Sequence, residues 1–397
     1  MQSVILVGGK GSRLGEITKD YPKPMLEVDG EPFIMKLINM LVRFGSTEIL
    51  LLACHANKVI IDYFKDKEID GCNIKVIIED ELLGTGGSLI NAYDSLEESF
   101  FCFNGDSIID GNWLSIKNIL GDNDNISIAL TRTNDKNRYG QVELSNKKVT
   151  NFLEKQKNNN LSNNLINGGI YYIRKKIFDS LPNKKFSFER DIIPNQVQAN
   201  KVVAQEVKGY FIDIGLEESL EQARAYNWRR GRKAIIFDRD GTLNHDDGYT
   251  HKISDLKWNL GAKEAIKLFN DKGYYVFVAT NQSGIAKGKF SEDEMHKFHN
   301  EMKSHLYDIG AHIDKIYFCP YHKESKIKKY KVDSNDRKPK TGMLEKISKD
   351  WGIEKNNMVM IGNSTDDIEC ANNFGIRSFL YNGIDNLYEI SNNIEKI

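Results

Sequence analysis

The sequence has no long hydrophobic run, no excess of charge of either sign and few cysteines. No apolar stretch in its 397 residues approaches the roughly 18 residues that a membrane-spanning helix requires. The formal net charge is −1 and the basic residues are spread along the chain, so neither nucleic acid nor a membrane is indicated as a partner. The five cysteines are odd in number and form no Cys-x-x-Cys pair, which argues for a reducing compartment. Because no secretory signal is recognisable at the N-terminus, we expect a soluble cytoplasmic protein.

Short apolar runs, typical of β-strands, alternate with stretches of helical spacing. They form two series, one within residues 3–130 and one that begins at residue 234. Such alternation predicts mostly parallel sheets covered by helices. A chain of this length also exceeds what one hydrophobic core usually serves. We therefore predict an α/β protein of two domains, residues 1–228 and 229–397, each built on a Rossmann-like sheet.

A glycine-rich segment, "VGGKGSRL", follows the first predicted strand. Glycines at this position let backbone N–H groups surround phosphate oxygens, and Arg13 and Lys23 supply positive charge for a triphosphate. The segment has neither the ending of a P-loop nor the glycine spacing of a dinucleotide fingerprint. Its glycines alone would fit a tight turn better than a binding site. The candidate nucleotide-binding residues of this part of the chain are Gly8, Gly9, Gly11, Ser12, Arg13 and Lys23.

Two aspartates, Asp106 and Asp213, end apolar runs in the same predicted domain. Open α/β sheets bind ligands in the crevice at the carboxyl ends of their strands. Two carboxylates that meet in such a crevice can share a divalent ion, because Mg²⁺ takes oxygen ligands. Either aspartate alone would be better explained as a turn residue; inside the family pattern described next, where Mg²⁺ can bridge the α-phosphate and shield a leaving pyrophosphate, the two are expected to be magnesium ligands.

These motifs, within about the first 220 residues, resemble the signature of the sugar-1-phosphate nucleotidylyltransferases. The resemblance gives Arg13 and Lys23 a catalytic role. It also implies that Gly84, Thr85 and Gly86, in "LLGTGG", meet the base and ribose. The residues that it implies for the sugar phosphate are Lys155, Asn167, Gly168 and Glu189. One departure is Gln156, where many relatives carry proline.

A second motif, "FDRDGTLN", places two aspartates directly after an apolar strand and resembles motif I of the haloacid-dehalogenase-like (HAD) phosphatases. The resemblance implies that Asp238 attacks phosphorus to form an aspartyl-phosphate. Asp240 would protonate the leaving oxygen and later deprotonate the attacking water. The family's other motifs follow in their usual order: Thr280 and Asn281, then Lys338, then "IGNSTDD". Thr280, Asn281 and Lys338 are expected to hold the phosphoryl group.

The surrounding residues are similar to one subfamily, the D-glycero-D-manno-heptose-1,7-bisphosphate 7-phosphatases, close kin of the histidinol-phosphate phosphatases. The short connection between the first and second motifs leaves room for only a minimal cap, and Arg337 is expected to help choose the substrate. Relatives often hold a structural zinc in this region. Cys319 and His322 remain, but Ser334 and Asp336 stand where cysteines are expected. Since two ligands do not complete a tetrahedral site, we expect no zinc.

Asn363 is a second departure, because the family carries a magnesium-ligating aspartate at this position. An amide keeps a carbonyl oxygen but loses the charge, for which Asp366 could partly compensate. We expect Mg²⁺ at both sites. The predicted ligands are Asp106 and Asp213 in the first domain and Asp238, Asp240, Asn363 and Asp367 in the second.

A heptose 1,7-bisphosphate must lose its 7-phosphate before its 1-phosphate can be nucleotidylated. The two resemblances therefore predict a bifunctional enzyme: the second domain makes D-glycero-α-D-manno-heptose 1-phosphate, and the first converts it with a nucleoside triphosphate to an NDP-heptose and pyrophosphate. The resemblance alone indicates GTP. The sequence does not indicate an oligomeric state.

Two alternatives remain open. The second domain could be a decayed binding or regulatory module, which Asn363 and the missing cysteines favour and the intact Asp238, Asp240, Thr280 and Lys338 oppose. Alternatively, both activities could serve other substrates, such as a hexose 1-phosphate with UTP or dTTP beside a histidinol-phosphate-type phosphatase.

Overall fold

The structure is a computed structural model, and its chain forms two compact units, Met1–Tyr226 and Asn227–Ile397. It describes residues 1–9, 14–15, 18, 21–54, 57–65, 67–133, 135, 138–154, 164–179, 181–182, 184–226, 228 and 231–395. The predicted site residues that lie outside these ranges are Gly11, Ser12, Arg13 and Lys155. Within the ranges, no helix has the length and hydropathy needed to cross a bilayer.

The first unit alternates strands and helices along most of its length. Its strands are β1 (Gln2–Leu6), β2 (Glu27–Val28), β3 (Glu31–Pro32), β4 (Glu48–Ala53), β5 (Glu68–Ile69), β6 (Cys72–Ile78), β7 (Ser99–Asn104), β8 (Ser107–Asp110), β9 (Ile126–Arg132), β10 (Gln141–Ser145), β11 (Lys148–Leu153), β12 (Leu165–Arg174), β13 (Val202–Glu206) and β14 (Tyr210–Asp213). Its α-helices are α1 (Phe33–Arg43), α2 (Asn57–Phe64), α3 (Gly84–Asn91), α4 (Ile193–Gln198) and α5 (Glu217–Ala225). A π-helical turn covers Phe188–Ile192, and 3₁₀ turns cover Lys23–Met25, Tyr93–Ser95, Trp113–Ile119 and Lys175–Phe178.

A ten-stranded mixed sheet forms the centre of this unit, in the order β10-β11-β13-β9-β12-β7-β1-β4-β6-β5. Strands β7, β1, β4 and β6 are parallel, as predicted. The remainder of the sheet is mixed and departs from the expectation of a mostly parallel sheet, because β12 is antiparallel to both β7 and β9, whereas β9 and β13 are parallel. Strands β10 and β11 form an antiparallel hairpin, which needs no helical crossover. A separate two-stranded sheet pairs β8 with β14.

Helix α1 shows how the apolar pattern fixes the packing of this unit. Its residues Phe33, Leu37, Ile38 and Leu41 recur at helical spacing and are fully buried. Burial of each such side chain contributes about 1.5–3 kcal/mol. The apolar face of the helix is therefore held inside the unit, while its polar face stays in contact with water.

The second unit also alternates strands and helices. Its strands are β15 (Ala234–Phe237), β16 (Tyr275–Asn281), β17 (Lys315–Cys319), β18 (Met358–Gly362) and β19 (Arg377–Leu380). Its α-helices are α6 (Ala262–Asp271), α7 (Ser283–Ala286), α8 (Glu292–Asp308), α9 (Gly342–Trp351), α10 (Thr365–Phe374) and α11 (Leu387–Glu395). Its 3₁₀ turns cover Ile253–Asp255, Lys328–Tyr330 and Lys355–Asn357.

The five strands form one parallel sheet in the order β17-β16-β15-β18-β19. Alternate side chains of β15 face opposite sides: Ile235 and Phe237 pack with α6, α8 and α11, whereas Ala234 and Ile236 pack with α9 and α10. Helices therefore cover both faces, as the apolar runs predict. The carboxyl ends of β15, β16 and β18 lie along one edge of the sheet, where ligands bind in folds of this kind.

Candidate active sites

The pairing of β8 with β14 brings two distant aspartates of the first unit together. Asp213 lies opposite Ser107 in this pair, and the backbone N–H of Ile214 donates to the carbonyl oxygen of Asp106 at 2.9 Å. Lys23 joins them, with its Nζ 2.6 Å from Asp106 Oδ2. The sheet thus places the predicted catalytic lysine on one of the two predicted magnesium ligands.

Both aspartates line a cavity of about 660 Å³. The other predicted residues on its wall are Gly8, Gly9, Lys23, Gly84, Thr85, Asn167 and Glu189. Gly86 packs instead against the Phe186 ring, and Gly168 packs against Ile109. Gly169, the neighbour of Gly168, lines the cavity in its place. The structure therefore brings most of the described candidates to one cavity, but turns two predicted glycines toward packing contacts.

Thr85 connects the predicted nucleotide loop to the predicted sugar segment. Its hydroxyl donates to Glu189 Oε2 at 2.6 Å and accepts a hydrogen bond from the backbone N–H of Phe188 at 2.9 Å. Asn167 is fixed in a similar way, because its amide donates to the Tyr171 hydroxyl at 2.6 Å. The hydrogen bond between Thr85 and Glu189 thus joins the predicted nucleotide loop to the predicted sugar segment.

Sequence reasoning missed three polar residues of this cavity region, Arg138, Tyr139 and Glu79. Arg138 Nη2 lies 3.7 Å from Asp213 Oδ1. Burial, followed by the charge of Asp213, raises the pKa of Tyr139 to about 12. Tyr139 and Glu79 both line the cavity. Glu79 could have been found, since it directly follows β6 in the parallel part of the sheet.

The donor set of this cavity fits a divalent cation. Carboxylate oxygens are the ligands that Mg²⁺ prefers, and Asp106 already carries a cationic partner, Lys23. Asp213 Oδ1 accepts a hydrogen bond from the backbone N–H of Gly215 at 2.7 Å, which fixes its direction. In the described parts of the chain, no cluster of three or more His, Cys, Asp or Glu side chains is arranged to hold a metal. The protein would therefore supply two carboxylates, and the bound nucleotide and water the remaining oxygens.

The second unit contains a buried lysine between two carboxylates. Lys338 Nζ lies 2.6 Å from Asp238 Oδ1 and 2.5 Å from Asp367 Oδ1, and donates to the Ala279 carbonyl at 2.7 Å. Burial opposes the charge of Lys338, but the two carboxylates outweigh it and raise its pKa. Burial also raises the pKa of Asp238 to about 7, although Lys338 opposes that rise. The predicted nucleophile and phosphate-binding cation are thus in direct contact.

Strand β16 positions this lysine through Asn281. The Asn281 amide donates to the Lys338 carbonyl oxygen at 3.1 Å, and the Lys338 N–H donates back to Asn281 Oδ1 at 3.0 Å. Thr280 is buried one residue earlier, and its hydroxyl accepts from Gln282 Nε2 at 2.9 Å. Asn281 therefore acts on the site by orienting the backbone of Lys338.

Asp240 is held by Arg239, a residue that sequence reasoning missed. Arg239 is fully buried and donates from Nε and Nη2 to the two oxygens of Asp240, at 2.8 Å each. Gln282 Nε2 also donates to Asp240 Oδ2 at 2.7 Å, and Arg239 Nη1 lies 3.0 Å from His299 Nε2. Burial, then the neighbouring Arg239 charge, holds the pKa of His299 well below its usual value. The partly exposed carboxylate of the predicted general acid is thus fixed by a bidentate pair with a buried arginine.

The "IGNSTDD" motif contributes two residues, Asn363 and Asp367, that differ in burial and in contacts. Asn363 is exposed and lies against the turn at Gly241, and its Oδ1 accepts from the Thr242 hydroxyl at 3.2 Å. Asp367 is buried, and its Oδ2 accepts from Ser364 Oγ at 2.7 Å while Oδ1 faces Lys338. The contacts of Asp367 thus favour orientation of the lysine over the predicted role as a metal ligand. Asp238 and the carbonyl oxygen of Asn363 remain a donor set that suits Mg²⁺.

The residues considered for zinc and for substrate choice lie at the end of β17 and in the segment that leads from it to Lys338. Cys319 is buried, and burial raises the pKa of its thiol. Asp336 lies 2.5 Å from Lys346 Nζ, so its charge has a partner within the chain. Arg337 Nη1 is buried and makes no hydrogen bond to any residue that the structure describes. The role of Arg337 in substrate choice therefore stays a prediction.

Comparison with known proteins agrees with this division of the chain. Residues 2–228 match the Nucleotidyl transferase family, and residues 335–388 match the HAD-hydrolase-like family. The chain therefore belongs to the nucleotidyl transferase family, and its second unit is a HAD-like phosphatase unit. It is an enzyme that carries both kinds of catalytic domain.

Individual relatives match one unit each. The D-glycero-beta-D-manno-heptose-1,7-bisphosphate 7-phosphatase of Rhodopseudomonas palustris is 41% identical over 154 residues, 39% of this chain and 86% of that protein. The D-glycero-alpha-D-manno-heptose 1-phosphate guanylyltransferase of Campylobacter jejuni is 37% identical over 220 residues, 55% of this chain and 96% of that protein. The crystal structure of HddC from Yersinia pseudotuberculosis has 33% identity and a TM-score of 0.51 and covers 56% of this chain and 98% of its own. HddC has also been crystallised with GMP-PN.

Proposed function

We propose that this chain is a bifunctional enzyme of nucleotide-activated heptose synthesis. Its phosphatase unit removes the 7-phosphate of D-glycero-α-D-manno-heptose 1,7-bisphosphate, and its transferase unit then transfers GMP from GTP to the heptose 1-phosphate. One observation carries this proposal: a single chain unites relatives of a bisphosphate 7-phosphatase and of a 1-phosphate guanylyltransferase that are both named for D-glycero-D-manno-heptose phosphates, although for different anomers. The product of the first reaction is the substrate of the second.

In the phosphatase reaction, an oxygen of Asp238 attacks the 7-phosphoryl phosphorus and the bond from phosphorus to the sugar oxygen breaks. Asp240 gives the leaving oxygen a proton and later takes one from the water that hydrolyses the aspartyl-phosphate. Lys338 balances the negative charge, and Asn281 and Asp367 hold it in place. Mg²⁺, bound by Asp238, the main-chain carbonyl of Asp240 and Asn363, would add positive charge beside the phosphoryl group.

In the transferase reaction, an oxygen of the sugar 1-phosphate attacks the α-phosphorus of GTP, and pyrophosphate leaves. Lys23 supplies positive charge at the cavity wall, and Asp106 and Asp213 would hold Mg²⁺, which would supply charge to shield the leaving pyrophosphate. Asn167 and Glu189 would meet the sugar at the cavity wall, and Thr85 connects Glu189 to the nucleotide loop.

The anomer follows from the need for one shared intermediate. The phosphatase relative is named for the β-anomer of the bisphosphate, whereas the guanylyltransferase relative is named for the α-anomer of the 1-phosphate. Removal of the 7-phosphate leaves the anomeric carbon untouched. Consecutive action therefore requires the phosphatase unit of this chain to accept the α-anomer.

A substrate panel tests the proposal. Phosphate release is measured with the α- and β-anomers of the heptose bisphosphate and with histidinol phosphate, and pyrophosphate release with heptose and hexose 1-phosphates and four nucleoside triphosphates. We expect the highest kcat/KM for the α-bisphosphate and for α-heptose 1-phosphate with GTP. A strict preference for the β-bisphosphate would contradict consecutive action, and no phosphate release from any substrate would favour a decayed second unit.

A further inference from the structure

Helix α8 carries one histidine on its buried face, His299. The other buried side chains of this helix are apolar: Met295, Phe298, Met302 and Leu306. His299 is only 4% exposed, and a polar ring in such surroundings is costly unless it has a hydrogen-bond partner. Its Nε2 lies 3.0 Å from Nη1 of Arg239, which is itself fully buried. The partner of His299 is therefore the arginine that holds Asp240.

This contact determines the protonation state of the imidazole ring. A guanidinium group has N–H donors and no acceptor, so His299 Nε2 must accept the hydrogen bond and carry no proton. Burial lowers the pKa of the ring well below its usual value, and the charges of Arg239, His296 and Lys303 act in the same direction. The ring is therefore neutral, with its proton on Nδ1, and gives Arg239 a fixed acceptor.

The other donors of Arg239 orient the predicted general acid. Its Nε and Nη2 donate to the two oxygens of Asp240 at 2.8 Å each, and Nη2 also donates to the carbonyl oxygen of Thr250 at 2.8 Å. The Phe298 ring of α8 lies 4.9 Å from the guanidinium carbon. Helix α8 thus contacts the guanidinium group twice, through Phe298 and through His299. Without the histidine, a buried Nη1 donor would be unpaired, which favours rotation of the guanidinium group away from Asp240.

We propose that His299 is a positioning residue of the phosphatase reaction, which holds Arg239 in the orientation that directs Asp240 at the leaving oxygen. When the phosphoryl group passes to Asp238, the bond from phosphorus to the ester oxygen breaks, and the proton of Asp240 goes to that oxygen. A carboxyl group that is free to turn delivers this proton less effectively. The inference rests on the proposed phosphatase activity but not on the identity of the sugar.

Two aryl phosphates separate the proton-donating step from the rest of the reaction. Phenolate is a poor leaving group that gains from protonation, whereas p-nitrophenolate leaves readily without a proton. The readout is kcat/KM, because it reports the steps up to departure of the aryl group and excludes hydrolysis of the aspartyl-phosphate. In the full-length His299→Leu variant at saturating magnesium, we expect kcat/KM to fall about tenfold for phenyl phosphate and less than about twofold for p-nitrophenyl phosphate.

A conservative variant and a neighbouring histidine provide the controls. In His299→Gln, the amide oxygen can take the place of Nε2 as the acceptor from Arg239, so both values of kcat/KM should stay within about twofold of wild type. His296 lies one turn earlier on α8, with its ring centroid 6.3 Å from that of His299, but its side chain is exposed. His296→Leu should therefore leave both values unchanged.

The ring itself is observed by nuclear magnetic resonance of the wild-type protein with ¹⁵N-labelled histidine at neutral pH, and the His299→Gln variant assigns the signal. We expect a neutral His299 with its proton on Nδ1. A proton on Nε2, or a charged ring, would overturn the proposal because neither form can accept from Arg239.

An equal fall for the two esters in His299→Leu would also overturn the proposal, since a purely structural role predicts it, as would a Gln variant no more active than the Leu variant. If His299→Leu fails to fold, His299→Asn replaces it, because its shorter amide does not reach Arg239. A wild-type protein that hydrolyses neither ester would contradict the phosphatase activity and the role of His299 together. A failed heptose assignment leaves the comparison of the aryl esters intact.

Discussion

Each unit pairs a lysine with an aspartate near the end of a strand, but the two pairs differ in their surroundings. In the transferase unit, the side chains of Lys23 and Asp106 are 11% and 34% exposed, on the wall of a large cavity. In the phosphatase unit, those of Lys338 and Asp238 are 3% and 10% exposed, and a second carboxylate, Asp367, contacts the lysine. The transferase pair thus contains one partly exposed carboxylate on a cavity wall, whereas the phosphatase pair is buried and shares its lysine with a second carboxylate.

The largest expected effect is the loss of one of the two activities when an aspartate of one site is replaced. Asp238→Asn should lower phosphate release by at least about a thousandfold, because it removes the nucleophile, and should leave pyrophosphate release unchanged. Asp106→Asn should do the reverse. Both half-reactions are assayed for each variant. Loss of both activities in either folded variant would contradict two independent sites.

The difference in burial should appear in stability. Lys338→Met leaves two buried carboxylates without their cation and should lower the free energy of unfolding by about 3–5 kcal/mol at neutral pH. Lys23→Met removes a partly exposed pair and should cost less than about 1 kcal/mol. Urea unfolding followed by circular dichroism, in magnesium-free buffer, gives both values. Equal losses in the two variants would remove the distinction between the sites.

Arg239 should matter most when the leaving group is poor. If it orients Asp240 as the general acid, Arg239→Gln should lower phosphate release from the sugar bisphosphate about 100-fold, within the range of general acid catalysis. p-Nitrophenyl phosphate has a leaving group that needs no proton, so its hydrolysis should fall much less. The ratio of kcat for the two substrates is the readout, since a purely structural role would reduce both equally.

The pH dependence should also differ between the units. Burial raises the pKa of Asp238 to about 7, and attack on phosphorus needs the ionised carboxylate. At low magnesium, phosphate release should therefore fall about tenfold per pH unit as the pH drops below that pKa. Saturating magnesium should move the midpoint to lower pH, because a nearby cation favours the ionised form. Profiles of kcat/KM at two magnesium concentrations test this, and the same midpoint in the transferase reaction would contradict the assignment to Asp238.

The smallest expected effect concerns Asn363. Asn363→Asp adds a charged oxygen ligand and should lower the magnesium concentration for half-maximal phosphate release several-fold, with no change in nucleotidyl transfer. Magnesium titrations of the wild-type and variant proteins provide the comparison. An unchanged requirement would indicate that Asp366 or Asp367 already serves as the ligand.

The parts of the sites that depend on strand ends could be predicted from the sequence. Asp238 and Thr280 follow or end parallel strands, and such ends meet at one edge of a sheet. Contacts between distant elements could not be predicted in this way. The burial of Arg239 depends on His299 of α8, and the pairing of Asp367 with Lys338 depends on the path of the loop before the lysine. Periodicity reports which face of an element is buried, but not which polar groups meet there.

The most direct test of consecutive action at two sites is a complementation experiment. The α-heptose 1,7-bisphosphate and GTP are incubated with the wild-type protein, with Asp106→Asn, with Asp238→Asn, and with an equimolar mixture of the two variants, and GDP-heptose is measured by mass spectrometry. We expect product from the wild-type protein and from the mixture, and none from either variant alone. Product from one variant alone, or none from the mixture of two folded and individually half-active variants, would contradict the account.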